Sequence, residues 1–61
     1  MNALQELRKK KGLSQAQLAE SLGVIQKAVS QWETGETLPT ADKLPAIADA
    51  LGCTIDELFG R

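Results

Sequence analysis

The sequence has no histidine, no tyrosine, one tryptophan, one phenylalanine and one cysteine in 61 residues. Each shortage removes a class of function. Without histidine the chain lacks the commonest general base near neutral pH and the commonest metal ligand. A lone thiol, Cys53, cannot close an internal disulfide or build a cysteine-based zinc site. It reads as a small buried apolar residue, the usual situation of a free cysteine. No nucleophile–base pair or ligand cluster stands out, so the expectation is no enzyme, no metal and no cofactor. No apolar run approaches the roughly 20 residues of a membrane span, and the first residues lack the charged-then-apolar order of a secretory signal. A cytoplasmic protein without a membrane partner is expected. At this length the chain should form one domain, 1–61, with a small core and no room for a deep substrate cleft.

Charge of one sign is also missing. Seven Lys and Arg against eight Asp and Glu leave a net charge of −1, whereas nucleic-acid binders are commonly basic because phosphate contacts dominate their affinity. The distribution is uneven. Arg8, Lys9, Lys10 and Lys11 are consecutive, while Asp42, Asp49, Asp56 and Glu57 come later. Taken alone, the basic run reads as the solvated last turn of a helix, where cations complement the helix dipole.

What is present is helical punctuation. All five glycines, Gly12, Gly23, Gly35, Gly52 and Gly60, fall where an amphipathic segment runs out, the position of a left-handed C-cap. Asn2 with Gln5, Ser14 with Gln17 and Thr54 with Glu57 have capping-box spacing. No stretch alternates with strand period. These signals predict an all-α, compact five-helix bundle. Its helices should cover about 3–10 (Leu4 and Leu7 inward), 15–22 (Leu18, Ala19, Leu22), 26–33 (Val29, Trp32) and a fourth segment burying Leu44, Ile47, Ala48 and Leu51. A short last helix should bury Ile55, Leu58 and Phe59. Pro45 places the start of the fourth helix near Lys43 with Asp42 as its cap, because a start at Thr40 would cost a backbone hydrogen bond at the proline. Pro39 fits the preceding loop.

The segment QAQLAESLGVIQKAVSQWET, about 15–34, carries the function. Gly23 and Val24 form a tight turn between its two helices, Gly23 supplying the positive φ. Ala19 is small enough for a close crossing. Leu18, Leu22, Val24, Val29 and Trp32 fill the angle, and the second helix is left as a protruding rod of the kind that fits a DNA major groove. Its outer positions Gln26, Lys27 and Gln31 have the chemistry for base edges, since Gln pairs with adenine N6 and N7 and Lys donates to guanine O6 and N7.

This segment resembles the helix-turn-helix family of phage repressors, Cro proteins and related bacterial transcriptional regulators (the Cro/C1 type). The likeness extends over LRKKKGLSQAQLAESLGV, VSQWETGETLP and ADALGCTIDELFG, nearly the whole chain. It implies a lambda-repressor-like domain that binds double-stranded operator DNA, as a homodimer, through the recognition helix 25–33. It further implies base contacts from Gln26, Lys27, Gln31 and Ala28, the last at a thymine methyl, with Ser30 pointing away. Phosphate contacts are implied for Gln15, Lys9, Thr34, Thr37 and Thr40, through hydroxyls or backbone amides in the loop. Gln15 would also brace the recognition helix. Arg8 and Glu33 would form a buried structural pair, with Trp32 in the core and Gly23 at the turn. The dimer surface would lie around Ile55 to Phe59 and the preceding loop. Three residues depart from the family pattern: Glu36 stands where a Lys or Arg is usual, Ile25 where a Ser or Thr cap is usual, and Pro45 is uncommon in its helix. The alternative is a protein-interaction or antitoxin-type adaptor with weak DNA affinity, favoured by the acidic balance and Glu36.

Overall fold

The computed structural model describes residues 3–60, and among them every regular element is helical. Helix α1 spans Leu4–Lys11, α2 Gln15–Leu22, α3 Gln26–Thr34, α4 Leu44–Leu51 and α5 Ile55–Leu58, with a 3-10 turn at Ala41–Lys43 leading into α4. The expected all-α bundle is therefore the observed one.

The core draws on every helix. Leu4, Leu18, Val29, Ile47 and Leu58, one residue from each, are fully buried. Ala19, Trp32, Ala48 and Leu51 complete the cluster, and Leu7, Leu13, Leu22, Val24, Leu44, Cys53 and Phe59 pack against it while partly exposed. Cys53 is thus half-buried rather than fully enclosed, and burial together with the Glu57 charge raises its thiol pKa, favouring the neutral form. The Ala3 amide donates to the Leu58 carbonyl at 3.3 Å, joining the start of α1 to α5.

Among the described residues, the capping boxes expected at Ser14 and Thr54 both form. Ser14 Oγ accepts from the Gln17 amide at 3.0 Å while Gln17 Oε1 accepts from the Ser14 amide at 2.8 Å. Thr54 and Glu57 repeat the exchange at 3.1 and 3.0 Å. The Asn2 cap lies outside the described residues.

Four helices end in one pattern. After α1, α2, α3 and α4 the chain turns through Gly12, Gly23, Gly35 and Gly52, all at positive φ. The following residues, Leu13, Val24, Glu36 and Cys53, donate their amides back to Arg8, Ala19, Gln31 and Ala48 at 3.0–3.1 Å. This is the Schellman arrangement, in which the residue after the glycine commonly adds an apolar contact. Leu13, Val24 and Cys53 make that contact with the core, whereas Glu36 is exposed.

Three expectations need correction. The fourth α-helix begins at Leu44, and Thr40 rather than Asp42 heads the 3-10 turn before it. That turn accommodates Pro45, which lacks an N–H: the Ala41 carbonyl, its α-helical acceptor, is taken by the Leu44 amide. Helix α3 runs one residue further than expected, to Thr34. Ile55, expected inside, is 38% exposed, while Leu58 at the other end of the single turn of α5 is fully buried.

Candidate nucleic-acid interface

Helices α2 and α3 pack directly on each other, and Val24 and Val29 lie with Leu18, Ala19 and Trp32 in the angle between them. Gly23, at φ 70 and ψ 30, makes the turn. The 3.6-residue period does the rest: with Val29 and Trp32 turned to the core, α3 leaves Gln26 and Lys27 exposed and Gln31 half-buried one turn on from Lys27. Ala28 is half-buried and packs against the core, so it flanks this face rather than standing on it. Ser30 is half-exposed, one turn after Gln26.

The orientation of α3 is fixed at its far end by Glu33. Arg8 Nε donates to Glu33 Oε2 at 2.6 Å and Arg8 Nη2 to Oε1 at 3.3 Å, a two-point pairing, while Arg8 Nη1 donates to the Leu13 carbonyl at 2.8 Å. The side chains are only 9% and 3% exposed. Gln15 Nε2 adds a third bond to Glu33 Oε1 at 2.9 Å. One carboxylate therefore joins α1, α2 and α3. Burial pushes the Glu33 carboxyl up, but the hydrogen bonds from Arg8 and Gln15 and the charges of Arg8 and Lys9 outweigh it and hold the pKa below the ordinary glutamate range.

The Arg8–Glu33 pair is the one expected. The bond from Gln15 to Glu33 was not: sequence reasoning gave Gln15 a bracing role without the partner through which it acts. The signal was a Gln at the first position of α2 and a Glu near the end of α3, but linking them requires the crossing of the two helices.

The basic run is dispersed by the same helical rotation. Arg8 faces Glu33, and Lys9 lies close enough to add its charge there. Lys10 acts on Glu57. Lys11 reaches over Gly52, where an added Cβ would lie 3.7 Å from its Nζ. Of the three exposed lysines in the run, Lys9 is the one drawn toward the end of α3.

The loop after α3 is more occupied than expected. The Gln31 carbonyl accepts from the Glu36 amide at 3.0 Å, the Thr37 amide at 3.3 Å and the Thr34 hydroxyl at 3.2 Å. The Thr40 hydroxyl bonds the Asp42 carboxyl and, with that residue's own amide, holds the carboxyl below its usual range. The Thr37 amide is thus turned inward and the Thr34 and Thr40 hydroxyls have partners, leaving the exposed Thr37 hydroxyl outward. No group of three or more metal-ligating side chains occurs among the described residues, and no helix among them is long and apolar enough to cross a membrane.

Two helices crossing on a small-residue contact, joined by a glycine turn and presenting the polar face of the second, define a helix-turn-helix unit. The chain belongs to the helix-turn-helix family, whose profile matches residues 4–58. It is 47% identical over 56 residues to the HTH-type transcriptional activator BcrR of Enterococcus faecalis, covering 92% of this chain and 28% of that protein. It is 48% identical over 48 residues to the cryptic phage CTXphi transcriptional repressor RstR of Vibrio cholerae, covering 79% and 43%. Among solved structures, the P22 c2 repressor protein in complex with synthetic operator 9T superposes with a TM-score of 0.85 at 42% identity, over 90% of this chain and 83% of that one. The chain spans less than half the length of these two curated relatives.

Proposed function

We propose that this chain is the DNA-reading part of a transcriptional regulator, a repressor that binds a palindromic operator as a homodimer through α3 and works in the cytoplasm on nucleoid DNA. The observation that carries the reading is the polar outer face of α3, Gln26, Lys27 and Gln31, held by the Glu33 junction in a fold like that of a repressor solved with its operator. Gln26, Lys27 and Gln31 take the base edges, with Ala28 at their flank. Lys9, the second amide hydrogen of Gln15 and the Thr37 hydroxyl take phosphates. Thr34 and Thr40 serve there only by exchanging their present partners. The pairing surface is the C-terminal end, where Ile55 is exposed and Phe59 half-buried. Two half-sites about one helical turn apart supply the specificity that one small domain lacks. Repression rather than activation follows the phage relatives, while BcrR carries the opposite name.

Selection of bound sequences from a random DNA pool, followed by binding measurements across salt concentration, tests the whole reading. The expected result is an enriched palindrome and an affinity that falls steeply as salt rises. Gln26→Ala should change the preferred base, and Lys9→Ala should weaken all sequences alike. No enrichment, together with indifference to salt, would overturn the proposal in favour of the weak-affinity adaptor that the net charge of −1 and the exposed Glu36 suggest.

A further inference from the structure

Ile25 is the most exposed large apolar side chain among the described residues, 70% open to solvent. It occupies the N-cap of α3 in extended conformation, φ −78 and ψ 153, and its side chain caps nothing. The chain forms capping boxes at α2 and α5 with Ser14 and Thr54. At the head of α3 it instead has a residue that neither satisfies the first amides of the helix nor leaves water. The two residues that follow, Gln26 and Lys27, are polar and exposed, so Ile25 stands at the leading end of the face assigned above to base edges. In the major groove the bulky apolar group on those edges is the thymine C5 methyl.

We propose that Ile25 packs on a thymine C5 methyl and so makes one T·A pair in each half-site a determinant of specificity, beside the pairs read by Gln26 and Lys27. The inference rests on the DNA-reading function proposed above. It gives the uncapped start of α3 a role that a serine could not fill: an apolar contact with one methyl group.

The experiment replaces thymine by uracil, which removes that methyl and leaves the base-pair hydrogen bonds intact. Each thymine of the selected operator is changed in turn and binding is measured with the wild-type chain, Ile25→Ser and Ile25→Ala, with thermal melting confirming that all three fold. Burial of one methyl corresponds to about a fourfold change in affinity. The wild-type chain should lose about fourfold at one thymine per half-site, both variants should lose nothing there, and Ile25→Ser should melt higher because it restores a cap. Equal uracil sensitivity in the variants, or no sensitive thymine with the wild-type chain, overturns this inference and leaves the proposed function standing. A pool that yields no preferred sequence overturns both.

Discussion

Glu33 is the residue whose loss should be felt most widely, since Arg8 and Gln15 both direct donors at it from other helices. Removing one member of a buried ion pair leaves the other charge without compensation, at a cost of about 3–5 kcal/mol. Urea unfolding should place Glu33→Ala and Arg8→Ala each in that range. The double variant should lose clearly less than the two losses added together, because the residues share one interaction. Acid should act through the same carboxyl. Its folded-state pKa is depressed, so the unfolded chain binds the proton more tightly. The stabilisation is then complete above the unfolded-state value of about 4.3 and is lost as pH falls through the lower, folded-state value. Asp42 and Glu57 are shifted in the same direction. Stability measured from pH 6 downward should decline below about pH 5, and Glu33→Gln should flatten that decline.

Among the elements, the turn between α2 and α3 offers a clean test of backbone against packing. A Cβ on Gly23 would meet nothing within 4 Å. Gly23→Ala therefore introduces no clash, and its cost is that of a left-handed conformation in an L-residue, about 1–2 kcal/mol. Thermal melting should show that loss without loss of helical signal. Legibility at this scale followed from how local each signal is. Glycine stops and the Ser14 and Thr54 caps depend on neighbours a few residues away, and they located α2 to the residue and α1 and α3 to within one. The start of α4 was also placed to within one residue, but its cap was not: a 3-10 turn headed by Thr40 leads into the helix where Asp42 looked like a side-chain cap. The contacts across helices were legible only in part. The spacing of Arg8 and Glu33 follows the family pattern, but Gln15 meeting Glu33 depends on three-dimensional placement that no periodicity encodes.

For the molecule as a whole, the difficulty that a net charge of −1 sets for the proposed DNA-reading role is eased by where the cations point. Lys10 and Lys11 lie toward Glu57 and the end of α4, and Lys9 and Lys27 are the cations that the proposed reading assigns to phosphates and bases. Glu36, exposed after α3, opposes them. Glu36→Lys should tighten binding to every DNA sequence and steepen the logarithmic salt dependence by about one unit. Its melting temperature should stay close to that of the wild-type chain, because Glu36 contributes only its backbone amide to the fold.

The repeated glycine terminator has a kinetic consequence. Because four of the five helices are ended by bonds reaching back only five residues, the chain defines most of its segment lengths before any distant parts meet. Little loop-closure entropy then stands in the way of assembly, and refolding followed by temperature jump should be complete within microseconds to milliseconds.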